Sequence, residues 1–225
     1  MKAQYIRGAS LDVLLDPDAA AWRSVKSATL PLSGTPSALQ PTAAVRTEFP
    51  EGSIGAIKQV SVAIAHNGGE LAFRLEWSDA SAESGAGGQD DVGFPDAAAI
   101  LLPVRPRAPL MTMGAPGQPV NAWYWRADEN GIGRQVTAQG LGTTETIDRE
   151  SVKCRSVHRQ GEWAVVIARH LRVKGDQQVA QIDVGTGTAF SIAIWEGGHR
   201  ERAGIKSFAL GALEGWHPLT LNRPS

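Results

Sequence analysis

The sequence predicts an all-β fold, mainly an antiparallel β-sandwich with a few short helices. Three observations support this fold class. Short runs rich in Val, Ile, Phe and Trp recur along the 225 residues, and Gly, Pro and Asn separate them. Several of these runs alternate apolar with polar residues, which is the period of a half-buried strand. Segments with the longer period of an amphipathic helix are rare. We therefore expect one domain that spans residues 1–225.

The clearest strand pair lies in IKQVSVAIAHNGGELAFRLEWSD, residues 57–79. Apolar residues alternate from Val60 to Ile64 and again from Leu71 to Trp77. Between the two runs, Asn67-Gly68-Gly69 supplies residues that tolerate positive φ, as a tight turn requires. This pattern predicts a β-hairpin. His66 borders the turn, where exposure to solvent is expected.

A second hairpin is predicted in KCRSVHRQGEWAVVIARHL, residues 153–171, where Gln160-Gly161 separates two strand-like runs. Further strands are predicted at Ala97–Val104, Val120–Arg126, Thr188–Trp195 and Trp216–Leu221. Two segments are predicted to be loops. Residues 31–50 are rich in Pro, Ser and Thr and are expected to run extended over the surface. Residues 78–91 are small and polar and predict a surface loop.

Composition excludes several classes of function. The net charge is −1 and no segment concentrates Lys and Arg, so nucleic acid is not an expected partner. No apolar stretch is long enough for a membrane span, and no secretion signal is predicted in this chain. The single cysteine, Cys154, rules out an internal disulfide and covalent c-type haem attachment. No nucleophile, zinc or phosphate-binding motif occurs, so no catalytic residue is assigned.

The segment MTMGAPGQPVNAWYW, residues 111–125, contains two of the three methionines. Met111 and Met113 point to the same side if the backbone is extended, and Gly114 lets the backbone approach a flat group closely. Methionine most often fills gaps in a core, but its thioether is also a soft axial ligand for haem iron. Further on, two tryptophans alternate with Ala122 and Tyr124. One face of that strand forms core or pocket wall, and the sequence leaves open which.

Four segments carry a family resemblance, and together they span nearly the whole chain. They are MKAQYIRG with LLDPDAAAW at the amino end, MGAPGQPVNAWYWRAD, RQGEWAVVIAR, and SIAIWEGGHRERAGIKSFALG near the carboxyl end. In these segments the chain resembles the γ subunit of ethylbenzene dehydrogenase. It is similar in the same way to the γ subunits of dimethylsulfide dehydrogenase, chlorate and selenate reductases and steroid side-chain dehydrogenases. The shared motifs do not separate these enzymes.

The resemblance implies one non-covalent haem b in a β-sandwich, with a methionine and a lysine as axial iron ligands. The matching positions are Met113, directly before Gly114, and Lys206, which follows the Glu-Arg-small-Gly-X stretch; Met111 becomes a wall residue. A lysine can bind iron only as the neutral amine, and burial beside an apolar porphyrin favours that form. A Met–His pair that uses His199 in place of Lys206 is a weaker alternative.

The resemblance also implies the partners. The chain would relay single electrons between an iron–sulfur β subunit, itself served by a molybdopterin catalytic α subunit, and an external carrier such as a c-type cytochrome. The expected location is the periplasm, with export alongside the complex, or the cytoplasm if that export inference fails. The competing hypothesis is a carbohydrate- or ligand-binding β-sandwich module without haem, because similar sandwiches bind sugars on exposed tryptophans.

Overall fold

The computed structural model describes residues 1–40, 42–50, 52–85, 93–129, 131–174 and 178–223. Within these residues strands dominate, and the two α-helices are short. The elements are β1 (Lys2–Tyr5), α1 (Leu11–Leu15), β2 (Ser27–Pro31), β3 (Ser33–Gly34), α2 (Ala43–Glu48), β4 (Gln59–His66), β5 (Glu70–Ser78), β6 (Ala97–Pro103), β7 (Gly114–Ala115), β8 (Gln118–Arg126), β9 (Arg134–Ala138), β10 (Glu145–Asp148), β11 (Val152–Arg159), β12 (Glu162–His170), β13 (Gly187–Trp195), β14 (Ser207–Phe208) and β15 (His217–Leu221). The predicted all-β class is confirmed.

The strands form two layers that share one continuous hydrogen-bonded path. The first layer has the order β10-β9-β8-β6-β13, and the second contains β4-β5-β12-β11 with β2 alongside β4. Strands β15 and β1 connect the layers, and β1 pairs in parallel with both β15 and β4. The long strands within each layer pair antiparallel. The result is the predicted sandwich.

The main core lies between the two layers and is rich in aromatic side chains. Trp77 and Trp163 from the second layer pack against Trp125 from the first, and Phe73 packs edge-on against Trp123. Each fully buried side chain of this size contributes about 1.5–3 kcal/mol through removal from water. Strand β8 therefore turns its two tryptophans toward the core. Its other face, which carries Ala122 and Tyr124, points away from the core.

Both predicted hairpins are confirmed, as β4–β5 and β11–β12. Gln160 and Gly161 have φ values of 53° and 74°, the left-handed pair that a two-residue hairpin turn requires. The expected exposure of His66 is wrong, because this residue is fully buried at the end of β4 and its ring contacts Tyr5. Strand β4 runs to His66, directly before the turn, and His66 pairs there with Tyr5 of β1.

The segment 31–50 is only partly extended, so that prediction is wrong in part. It contains a 3-10 turn at Ser37–Leu39 and the helix α2, which Thr42 caps by accepting a hydrogen bond from the Val45 N–H. A side-chain cap of this kind satisfies one of the free donors at a helix start. Of the loop predicted at 78–91, residues 86–91 lie outside the described part. The assignment of residues 1–225 to one domain stays a prediction.

No helix among the described residues is long and apolar enough to cross a membrane.

Candidate functional site

The outer face of the first layer carries a cavity of about 410 Å³, which falls in the usual size range of cofactor pockets. The floor of the cavity is made of small and aliphatic side chains from β6, β8 and β9: Ala99, Leu101, Ala122 and Val136. These residues alternate along their strands with the large core residues, so small side chains face outward where large ones face inward. A flat apolar floor follows from that alternation.

Met113 lies on the wall of this cavity and also lines an adjoining cavity of about 120 Å³. Two hydrogen bonds hold its backbone. The Met113 N–H donates to the Leu110 carbonyl at 2.9 Å, and its own carbonyl accepts from the Gly140 N–H at 3.0 Å. The φ of Met113 is 56°, which is uncommon for a residue with a side chain and is found often at functional sites. The loop thus fixes the backbone of Met113.

Gly114 explains why the methionine is followed by glycine. Its φ is 90°, and a Cβ at this position would lie 2.7 Å from the carbonyl oxygens of Ala138 and Gln118. Both oxygens belong to the backbone, which could move away only at a large energetic cost. Any other residue here would push the Met113 loop off β8 and β9. This close approach is to the protein's own backbone; the expected approach of Gly114 to a flat group stays a prediction.

Lys206 lines the same two cavities as Met113 and is 7% exposed. Its Nζ donates to the Ala203 carbonyl at 3.2 Å and lies 5.4 Å from the centre of the Trp195 ring. No acidic side chain forms a salt bridge with it in the described part of the chain. Burial lowers the pKa of Lys206 to about 8. A large fraction of this amine is therefore neutral at mildly alkaline pH.

The backbone around Lys206 is fixed by contacts with the segment before β4. The Thr35 N–H donates to the Lys206 carbonyl at 3.1 Å, and the Gln40 side chain donates to the Gly204 carbonyl at 2.8 Å. Glu201 is buried, and its carboxylate accepts hydrogen bonds from the N–H groups of Gly55 and Ala56 at 2.7 and 2.8 Å. This carboxylate gives the Glu of the Glu-Arg-small-Gly-X stretch a structural role that sequence reasoning missed.

The lining of the large cavity also includes polar side chains. Arg134 of β9 is one of them and forms hydrogen bonds with Glu129 through Nε and Nη2. Burial alone would raise the pKa of Glu129, but the hydrogen bonds and charge of Arg134 outweigh burial and lower it. Tyr124 lies beside this pair, with the Arg134 guanidinium 5.9 Å from its ring centre. The sequence patterns do not indicate Arg134 as a site residue, and they leave open whether the face that carries Tyr124 forms a pocket wall.

Met111 and His199, the other predicted ligand or wall residues, do not line the large cavity. Met111 lines only the smaller one, where Leu110 and Phe208 are its neighbours on the wall. His199, the alternative ligand, is exposed and lines neither cavity; its N–H donates to the Glu196 carboxylate. The structure therefore brings Met113 and Lys206 to one cavity and leaves His199 outside it.

Tryptophan exposure bears on the carbohydrate-binding hypothesis. All seven tryptophans are buried, at no more than 9% exposure. Among the large apolar residues that are exposed in the described part, none is aromatic: Val13, Ile132, Leu141, Leu210 and Leu213. A sugar platform of stacked tryptophans, which that hypothesis needs, is not present in the described residues.

Comparison with known families matches a model described as ethylbenzene dehydrogenase to residues 19–146 and 133–207. The chain belongs to this family. The matched ranges include both Met113 and Lys206, together with the elements that form the cavity floor. Most of the amino-terminal resemblance lies before the matched region.

Three relatives are similar to this chain in sequence. A Haloferax mediterranei protein, inferred to be a respiratory nitrate reductase haem subunit, is 33% identical over 85% of this chain. The chlorate reductase γ subunit of Ideonella dechloratans is 35% identical over 63% of this chain. The dimethylsulfide dehydrogenase γ subunit of Rhodovulum sulfidophilum is 28% identical over 87% of it. The matches span 64%, 58% and 72% of these relatives, so the chain covers about three fifths of the first two.

Two solved structures share the fold of this chain. A family 9 carbohydrate-binding module of Caldicellulosiruptor kristjanssonii in complex with glucose aligns over 100% of this chain and 96% of its own, with a TM-score of 0.52 and 11% identity. A Bacteroides uniformis protein inferred to bind carbohydrate aligns over 99% of this chain and 98% of its own, with a TM-score of 0.57 and 13% identity. At such identity the likeness extends to the fold alone.

Proposed function

We propose that this chain is the haem b electron-transfer subunit of a heterotrimeric molybdenum oxidoreductase. The observation that carries the proposal is the convergence of Met113 and Lys206, distant in sequence, on the same apolar cavity. The donor set suits haem iron. A thioether is a soft ligand, and a buried lysine without an acidic partner can lose its proton and bind as the amine. The membership of the family and the haem subunit among its relatives support the same assignment.

The residues of the chain would each have a defined task. Ala99 and Ala122 would line the haem pocket and exclude water, while Met113 and Lys206 would hold the iron. With two protein ligands on the iron no site for a substrate would remain, so the group would supply one-electron chemistry only. A methionine ligand raises the reduction potential. Arg134 would contribute a charged group to the cavity wall.

Catalysis would then belong to partner chains. We infer a molybdopterin α subunit and an iron–sulfur β subunit, with an external carrier such as a c-type cytochrome at the other end of the relay. The γ subunits of chlorate reductase and dimethylsulfide dehydrogenase among the relatives support such a complex. The periplasm is the compartment that we propose for it, with export alongside its partners.

Visible absorption of the full chain, produced with an ample haem supply, tests the proposal. We expect a Soret band, sharp α and β bands on reduction, and a pyridine haemochrome spectrum of the b type. Met113→Ala and Lys206→Ala should each abolish the six-coordinate low-spin spectrum. Replacement of the exposed Lys153 by alanine should leave it unchanged. A colourless folded protein would overturn the haem assignment, and a low-spin spectrum that survives in Lys206→Ala would overturn the ligand pair.

A further inference from the structure

A second group of buried polar side chains lies outside the cavity, at one end of the sandwich. Asp79 follows the last residue of β5, Asp96 precedes the first residue of β6, and Glu196 follows the last residue of β13. Each contributes a carboxylate oxygen, and these three oxygens lie within 4.8 Å of one another. All three residues are buried, at 6%, 0% and 8% exposure. The group joins both layers, because β5 belongs to the second and β6 and β13 to the first.

No lysine or arginine side chain balances the charge of this group. No lysine or arginine forms a salt bridge with any of the three carboxylates in the described residues, which include every Lys and Arg of the chain. Backbone N–H groups bind Asp96 and Glu196, and the Trp163 indole donates to Asp96 at 3.0 Å. Three buried like charges repel one another and cost several kcal/mol unless a cation or a proton compensates them.

A second observation points to a missing ligand. The Oδ2 atom of Asp79 is buried and has no hydrogen-bond partner among the described residues, although its Oδ1 accepts from the Ser81 N–H. Buried carboxylate oxygens are rarely left without a partner. Trp77 Nε1, which is also buried and unpartnered, is the neighbouring group that could satisfy Asp79 without a cation.

We propose that Asp79, Asp96 and Glu196 hold a structural Ca²⁺ ion that ties the two layers together. Calcium binds oxygen ligands at about 2.3–2.6 Å, so oxygens on opposite sides of the ion are about 4.6–5.2 Å apart, and three oxygens within 4.8 Å fit one coordination sphere. Magnesium demands near-ideal octahedral geometry at shorter distances and keeps most of its water. Main-chain carbonyls and water would complete the sphere of calcium.

The ion would also act on the loop that carries Lys206, because that loop starts at Glu196. The Glu196 N–H donates to the buried Glu201 carboxylate at 3.1 Å, and Glu201 holds the segment at Gly55. Fixing Glu196 would therefore fix the start of the loop without touching the cavity. The calcium proposal does not depend on haem, since it concerns only the three carboxylates.

The test is elemental analysis and thermal unfolding of the full purified chain, with Ca²⁺ alone as the probe. After dialysis against Ca²⁺ we expect one calcium per chain, and at a 100-fold excess over Kd the Tm should lie about 5–10 °C above its value in EDTA. Asp79→Asn should lose the bound calcium and the shift. Asp148→Asn is the matched control, because the Asp148 carboxylate already accepts three hydrogen bonds from Ser151 and Glu150. This variant should keep both the bound calcium and the Tm shift.

The sign of the change in stability caused by Asp79→Asn distinguishes a bound cation from a shared proton or a Trp77 contact. With calcium, the variant should be less stable than the wild type; in EDTA it should be equally or more stable, because one repelling charge is gone. The same sign in both buffers would overturn the proposal. So would calcium-free wild-type protein with a Tm that EDTA does not change, or a bound calcium that persists in both Asp79→Asn and Glu196→Gln.

Discussion

At the scale of the residue, Lys206 makes the proposed site sensitive to pH. Burial lowers the pKa of its amine to about 8, against about 10.4 for an unfolded chain. Below about 8 the proton competes with iron, so haem affinity should fall up to tenfold per pH unit. Titration of haem into the protein from pH 6 to pH 9 measures this slope. Lys206→Ala should remove it, and equal slopes in the two proteins would contradict the lysine assignment.

The lowered pKa of Lys206 also predicts how the stability of the haem-free chain depends on pH. Between about pH 8 and 10.4 the unfolded chain binds the lysine proton and the folded chain does not. Stability should therefore rise with pH across this window, by on the order of 3 kcal/mol in total, and this contribution is absent below about 8. Denaturant unfolding of wild-type and Lys206→Met protein at pH 7.5 and 10 measures the difference. A wild type that does not gain stability relative to the variant would refute the buried neutral amine.

Met113 and Met111 form a matched pair of thioethers two positions apart. Only Met113 lines the large cavity, so Met113→Ala should lower the haem potential by a part of the about 0.8 V range that axial ligands set. Met111→Ala should leave the potential near the wild-type value, since it removes only wall contacts. Potentiometric titration monitored at the Soret band makes the comparison. Equal potentials in the two variants would remove Met113 from the iron.

At the scale of the element, the loop before β8 depends on one glycine that has no room for a side chain. A Cβ at Gly114 would lie 2.7 Å from two carbonyl oxygens, whereas Gly117 also has a positive φ but has no atom within 4 Å. Both changes to alanine strain the backbone by about 1 kcal/mol. Gly114→Ala should also displace Met113, with faster haem loss to a haem acceptor and a lower Tm. Similar haem loss in Gly114→Ala and Gly117→Ala would show that the loop tolerates the clash.

Local sequence patterns predicted the hairpins β4–β5 and β11–β12, because alternation and turn residues act over a few positions. The segment 31–50 was harder, since its proline and serine content suits loops and helix starts equally. Nothing local indicated that Glu201 or Asp96 is buried. Their partners are Gly55 and Gly197, which lie far along the chain, and only the strand order brings these groups together.

Sequence patterns could not predict the cavity either, because it also depends on how the strands are arranged. Ala99 and Ala122 resemble ordinary core positions, and the alternation in β8 gave two faces without naming the one that faces the core. The tryptophans occupy the core because they bury the most apolar area, which leaves the small residues for the cavity floor. Met113 and Lys206 came from a family resemblance, and their convergence on one cavity is a property of the fold.

At the scale of the whole molecule, the site is separate from the main core, because the two faces of the first layer serve different purposes. Trp123 and Trp125 belong to the core between the layers, while Ala122 and Tyr124 belong to the outer face. Removal of haem should therefore loosen the segments over the cavity and leave the sandwich folded. Hydrogen exchange of the haem-free and haem-bound chain should show faster exchange at 33–40, 109–115 and 200–208. Amides of β5 and β12 should keep their protection. Loss of protection in β5 and β12 to the same extent would mean that haem organises the entire fold, which would contradict the separation of site and core.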